Sequence, residues 1–438
     1  MGEFSKDNLL RSWKEIAAYL GCDVRTCHRW EHDRGMPVHR AEGGETKSPV
    51  FAYKNELDAW FGETFTSSNA RGEGLGNVRR WLKWAAGGTT VLVLAGAFLL
   101  FQGTRVRRQP ADFAIDGSFF VILDKQKREL GRFDTGFDDL LPESYFRTHF
   151  QALSRVDGNP FPCIVIKDIN GDGDKEVLLT SPRASQTTGV SLLYCLDRKA
   201  TEIWHFEAGQ ELKCGDKTFS PDYRIPGFIC HDMDGDGRPE TLVFAYQDPD
   251  WPCQMAILDA SGRKVGEYWN AGYLKCPAFA DINGDGREEL IIVGVNNEYK
   301  GGCLAVFDPR RISGASPQNG KYACREFSPG SEIYYVTVPY ADVSEAMGFV
   351  VEGFNYVFIT KNSRISATYG ASLFYEFDFG LACTQVYTGH MYEYVHGQLV
   401  KAGKLTSILG AEYLRGCREG VRYWNGSAMV PEPSMNRR

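Results

Sequence analysis

Residues 85–101 read AAGGTTVLVLAGAFLLF, seventeen positions without a charged side chain. As a helix rising about 1.5 Å per residue, the run would measure about 25 Å, close to the thickness of a bilayer core. Trp81 and Trp84 precede it, and Arg105, Arg107 and Arg108 follow it. Aromatic residues and snorkelling cations at the borders are what a membrane span requires. A buried core helix would carry a polar face, which this run lacks. A signal segment would open the chain, whereas 84 residues stand ahead of this one. The run therefore predicts one transmembrane helix over 85–101, a linker over 64–84, and a soluble part on each side.

The two parts differ in charge. Of the net −7, residues 1–84 contribute thirteen Lys/Arg against twelve Asp/Glu, and residues 102–438 contribute thirty-six against forty-four. Charge alone marks neither part as a nucleic-acid binder. With 43% apolar residues, the chain can fill real cores, which excludes global disorder. Ten of its twelve cysteines follow the apolar run. That bias fits disulfides in an oxidising compartment, with some cysteines serving as small buried hydrophobes. The spacing fixes no pairing.

Residues 1–63 read as a small α-rich module. Ser12 and Glu15 have capping-box spacing, and Trp13, Ile16, Ala17 and Leu20 recur at helical period up to Gly21. Asp23 caps a second helix, in which Val24, Cys27 and Trp30 face inward and Arg25, Thr26, His28 and Arg29 outward. After it, Gly35 to Arg40, a turn at Gly43 and Gly44, and Pro49 to Tyr53 read as a two-stranded wing, with Lys54 to Phe61 as a closing helix. The run SWKEIAAYLG, VRTCHRWE, GMPVHR and VFAYKNELDAWF resembles the winged helix-turn-helix of the excisionase and MerR-type DNA-binding families over residues 9–62. The resemblance implies DNA contacts by Arg25, Thr26, Arg29 and Arg40. The acidic tip, Glu42 and Glu45 beside Lys47, leaves a protein-binding module open as the alternative. Cys22, Cys27, His28 and His32 match no familiar zinc spacing.

Beyond residue 110, a nine-residue run occurs three times. It supplies Asp168, Asn170, Asp172, Asp174 and Glu176, then Asp232, Asp234, Asp236, Arg238 and Glu240, then Asp281, Asn283, Asp285, Arg287 and Glu289. Side-chain oxygens at positions 1, 3, 5 and 9, with a main-chain carbonyl at 7, form the hard-oxygen set that Ca²⁺ takes. Position 12 is Leu179, Val243 and Ile292, not the Glu of an EF-hand, and β-rich segments follow. A calcium loop leading into a strand resembles the FG-GAP/VCBS repeats of integrin-type β-propellers. Apolar segments ending in Asp197, Asp259 and Asp308 repeat in step, and Asp124 ends a fourth. Residues 111–438 are therefore expected to form an all-β propeller of about five to seven blades, stiffened by up to three structural calcium ions. The strand at Gly420 to Trp424 is expected to close the ring.

No nucleophile elbow, zinc-protease helix, Walker A or dinucleotide fingerprint occurs, so the chain is expected not to be an enzyme. DNA, disulfides and extracellular-type calcium loops all orient the N-terminus toward the cytoplasm. The sequence thus predicts a multidomain, single-pass protein of a bacterial inner membrane. Its expected role is a one-component transcriptional regulator that dimerises on DNA. Its outer propeller would bind an unknown extracytoplasmic ligand, glycan or protein. The alternative is an anchored adhesion or scaffold protein whose inner module binds protein.

Overall fold

A computed structural model describes residues 8–40, 50–66, 107–152, 160–181, 192–247 and 251–435, apart from 319, 325, 350, 351 and 371. The chain divides into two compact units, Met1–Val106 and Arg107–Arg438.

The first unit contains β1 (Leu9–Leu10), α1 (Trp13–Leu20), α2 (Val24–Arg34), β2 (His39–Arg40), β3 (Val50–Tyr53) and α3 (Lys54–Thr66). Ser12 Oγ accepts from Glu15 N at 3.3 Å and starts α1, and Gly21 at φ +66° ends it. Asp23 Oδ1 accepts from Thr26 N at 2.9 Å and starts α2. Ile16, Ala17, Cys27, Met36, Ala52 and Leu57 form the core between these elements. The expected two-stranded wing is corrected. The strands pair in the order β1-β3-β2, with Leu10 opposite Ala52, because burying Leu10 draws the chain start onto the free edge of β3. The tip, with Glu42, Glu45 and Lys47, lies outside the described residues.

The second unit is a succession of antiparallel meanders. The first has β4 (Pro110–Asp116), β5 (Phe119–Asp124) and β6 (Glu129–Asp134), followed by the short helix α4 (Glu143–Thr148). The second has β7 (Ile164–Lys167), β8 (Glu176–Thr180), β9 (Leu192–Leu196) and β10 (Glu202–Glu207). A hairpin of β11 (Leu212–Cys214) and β12 (Lys217–Phe219) precedes the third, made of β13 (Arg224–His231), β14 (Glu240–Tyr246), β15 (Cys253–Leu258) and β16 (Lys264–Asn270). The fourth comprises β17 (Leu274–Ala280), β18 (Glu289–Asn296), β19 (Gly301–Phe307) and β20 (Tyr334–Pro339). Helix α5 (Asp342–Ala346) leads to the fifth, β21 (Phe354–Ile359), β22 (Ile365–Tyr369), β23 (Leu373–Phe377) and β24 (Cys383–Thr388). Helices α6 (His390–Lys401) and α7 (Ala411–Glu419) and strands β25 (Arg422–Trp424) and β26 (Met429–Val430) end the chain.

These sheets are covered on both faces, which is why their inner strands read as unbroken apolar runs. Every residue of β18 and β19 is buried. Alternate residues of a strand point to opposite faces, and here they feed different cores. Ile291 and Val293 pack with Phe354, Ala367 and Tyr375 of the fifth sheet, and Leu290 and Ile292 pack with Phe244, Met255 and Ile257 of the third. Leu178 packs with Val243 and Ala245, and its neighbours Val177 and Leu179 pack with Phe113 and Phe120.

The expected architecture is corrected in three respects. The described chain is mostly β, with twenty-six strands and seven helices. First, no sheet among the described residues closes on itself. Instead of closing a ring, β25 adds to the outer edge of β20, with Tyr423 opposite Val336. Tyr423 is buried there and accepts from Cys383 N at 3.2 Å, which fixes that docking. Second, the winged module is a three-stranded sheet beside three helices. Third, no helix among the described residues is long and apolar enough to cross a membrane. The span expected over 85–101 lies outside them, and the single-pass inner-membrane placement that rested on it is withdrawn.

Candidate functional site

The three Asp-Gly runs occupy one structural position. Each joins the first strand of a meander to the second, between β7 and β8, β13 and β14, and β17 and β18. Gly171 and Gly173 turn at φ +77° and +88°, values open to glycine and strained for other residues. The first aspartate collects both turns. Asp168 Oδ1 accepts from Gly171 N at 2.7 Å, and its Oδ2 accepts from Gly173 N at 2.9 Å. Asp232 does the same for Gly235 and Gly237, and Asp281 for Gly284 and Gly286.

At the far end, a glutamate closes each loop from the start of the next strand. Glu176, Glu240 and Glu289 accept from the main-chain N–H of Ile169, Met233 and Ile282 at 3.0, 2.8 and 3.0 Å. Burial raises all three carboxyls above their ordinary value, and the loop aspartates raise them further. The third position separates the loops. Asn170 and Asn283 donate their side-chain N–H to Glu176 and Glu289 at 3.2 and 2.6 Å. The middle loop has Asp234 there, and oxygens of Asp232, Asp234 and Glu240 lie within 4.8 Å of one another. An all-oxygen set this tight fits a hard divalent cation.

Position 7 is Asp174, Arg238 and Arg287. The Asp174 carboxylate turns away to accept from Arg107 Nη1 at 2.9 Å and Gln109 Nε2 at 2.7 Å, with Arg198 Nε at 3.4 Å. Asp236 and Asp285 accept from the N–H of Arg238 and Arg287 at 2.7 and 2.9 Å.

In the first unit, α2 carries three of the four expected DNA-contacting residues, and two of those three face solvent unpaired. Arg25 and Arg29 are exposed and make no ion pair among the described residues. Thr26 Oγ1 donates to the capping Asp23 at 2.9 Å, so its hydroxyl is already committed. Arg40 sits on β2 and pairs with Glu31 at 2.6 Å. His28 packs against Trp13 with ring centroids 4.0 Å apart and planes tilted by 42°, while Cys27 is buried with its Sγ 3.4 Å from that of Cys22. The four Cys and His side chains therefore do not converge on a metal.

One disulfide joins Cys214 to Cys324 across 110 residues. It ties the β11–β12 hairpin to the long connection between β19 and β20. Cysteine spacing held no signal for this pair, because the two segments meet only through the tertiary fold. The remaining described cysteines are free, and most are buried.

No family profile matches the chain, and no curated protein matches it. Solved structures do. The Dos1 propeller is 9% identical over 63% of this chain and 65% of that one, with a TM-score of 0.30. An exo-β-1,3-galactanase from Phanerochaete chrysosporium is 10% identical over 70% and 67%, with a TM-score of 0.27. A β-1,3-galactosidase is 10% identical over 62% and 92%, with a TM-score of 0.25. The chain thus spans just under two thirds of the first of these. It has a mostly-β fold with propeller-like neighbours. Two of those neighbours are a galactanase and a galactosidase, and the expectation that this chain is not an enzyme is withdrawn. Likeness at this level assigns it no reaction.

Proposed function

We propose that the chain is a DNA-binding regulator whose α1–α2 pair is a helix-turn-helix. Its mostly-β unit is the sensing part, built from calcium-stabilised repeats of the FG-GAP/VCBS kind. The observation that carries the DNA reading is the outer face of α2. It presents Arg25 and Arg29 to solvent one helical turn apart, with no counter-charge among the described residues. Such a pair can meet phosphates or guanine edges. The convergence of Asp232, Asp234 and Glu240 supports the calcium reading. A second reading, a module that binds protein, draws support from the Arg40–Glu31 pair, which neutralises one of the four expected contacts.

The test is selection of bound duplexes from a random library by the full chain, with an Arg25→Ala/Arg29→Ala variant in parallel. The expected result is an enriched motif. In the variant, binding falls and the slope of log affinity against log salt shrinks by about 2. An unenriched library, or enrichment that the variant retains, would leave the protein-binding module as the better reading.

A further inference from the structure

The segment after β24 builds a feature that no four-stranded meander needs. Helices α6 and α7 and the loop between them leave the sheet series, and the chain rejoins it only at β25. With the corner at Pro339–Asp342 and with Leu373 and Tyr375 of β23, the loop after α6 and helix α7 border an open cavity of about 660 Å³. That volume lies within the range of small-molecule sites.

The walls combine aromatic rings with one sign of charge. Tyr340, Tyr375 and Tyr413 line the cavity together with Asp342 and Glu412, and among the described residues no Lys, Arg or His lines it. Asp342 is held from several sides. Its Oδ2 accepts from Ser407 Oγ at 2.6 Å, and its Oδ1 accepts from Tyr413 Oη at 2.5 Å and Val343 N at 2.8 Å. Behind them, His396 Nε2 lies 2.9 Å from Ser407 Oγ, and Tyr392 Oη lies 2.6 Å from Tyr413 Oη. Burial raises the Tyr413 and Tyr392 hydroxyls above their ordinary value, so both remain neutral. They orient the carboxylate without cancelling its charge. Among the described residues, no cation pairs with Asp342, and Glu412 has only the solvent-side Arg415 at 3.6 Å. Ile408 stands at the lip, 84% exposed, with an apolar surface that no described residue covers.

We propose that this cavity binds a small organic cation, an amine or quaternary ammonium on an apolar body. The cationic head sits by Asp342 among the tyrosine rings, and the body lies against Ile408. Aromatic faces and a fixed carboxylate both favour an ammonium group. The two carboxylates repel an anion.

The test is calorimetric titration of the full chain with benzyltrimethylammonium, benzyl alcohol and benzoate. The ammonium probe is expected to bind, benzyl alcohol roughly tenfold more weakly, and benzoate not at all. Ile408→Arg places a like charge at the lip of an exposed position that the fold does not use, and it is expected to weaken the ammonium probe roughly tenfold. Asp342→Asn should abolish the preference for ammonium over alcohol, with near-ultraviolet circular dichroism reporting that the corner stays folded. Equal binding of the alcohol, unchanged binding in Ile408→Arg, or no saturable binding below about 10 mM would overturn the proposal.

Discussion

Asp124 ends a strand, Asp197, Asp259 and Asp378 each follow one, and all four gather the turn that comes next. Asp197 Oδ1 accepts from the N–H of Lys199 and of Thr201, both at 2.8 Å. Asp259 repeats this with Ser261 and Arg263 at 3.0 and 3.1 Å, and Asp124 with Gln126 and Arg128, both at 2.9 Å. Asp378 Oδ1 accepts from Ala382 N at 2.9 Å. Three of these were legible as Leu-Asp pairs in step with the repeat. Asp378, preceded by Phe377, was not among them. Burial pushes the Asp259 carboxyl up, but the bonds from Ser261 and Arg263 outweigh it and hold the carboxyl below its usual 3.8. A depressed carboxyl adds stability that is present above the unfolded value and lost as pH falls through the folded one. Asp259→Asn is therefore expected to cost at most about 1 kcal/mol at neutral pH, after solvent screening. In urea melts, the two proteins should converge well below pH 3.8.

Among the elements, helix caps were readable and strand partners were not. Ser12, Gly21 and Asp23 act within a few residues of their own position, so local chemistry decides them. The strand at 422–424 is apolar enough to be recognised, but its partner β20 is fixed by the cavity-lining excursion and the buried seat of Tyr423. Helix α7 was missed because no residue of it is fully buried and its apolar positions are few. The β11–β12 hairpin has only three residues per strand, and a hairpin this small is marginal by itself. Its cross-link through Cys214 to Cys324 closes a loop of 110 residues. Reduction, or Cys214→Ser with Cys324→Ser, is expected to lower unfolding stability by about 2–5 kcal/mol. Denaturant melts with and without reductant measure this, and equal midpoints would show that the bridge carries no such constraint.

For the whole molecule, the three Asp-Gly loops matter because they lie in three consecutive sheets whose cores are shared. Leu242 and Phe244, just after the second loop, pack with Leu290 and Ile292, just after the third. A cation gripped at one loop therefore stiffens the start of a strand that its neighbour leans on. Ligand binding to the folded state alone adds about 2.7 kcal/mol per site at a hundredfold excess over Kd. Chelation is accordingly expected to lower the melting temperature of the full chain. Asp234→Ala should remove a larger share of the effect than Asn170→Ala or Asn283→Ala, because it deletes a charged ligand from a set of three carboxylates whose oxygens lie within 4.8 Å of one another. An unchanged melt with chelator would leave the loops as plain turns. The repeat, the loops and the mostly-β character were legible because short motifs encode them. Whether a sheet closes was not, because that depends on which edges meet.

The pairing of β25 with β20 also sets an order of events during synthesis. Strand β20 is finished at Pro339, but its neighbour Tyr423 belongs to a segment made after the entire fifth meander and both late helices. Until the ribosome has passed that point, one side of the fourth sheet presents open main-chain groups, the kind of edge that recruits other nascent chains. A premature stop anywhere between 340 and 421 would make that exposure permanent. Strand β25 thus acts as a seal on a sheet assembled long before it.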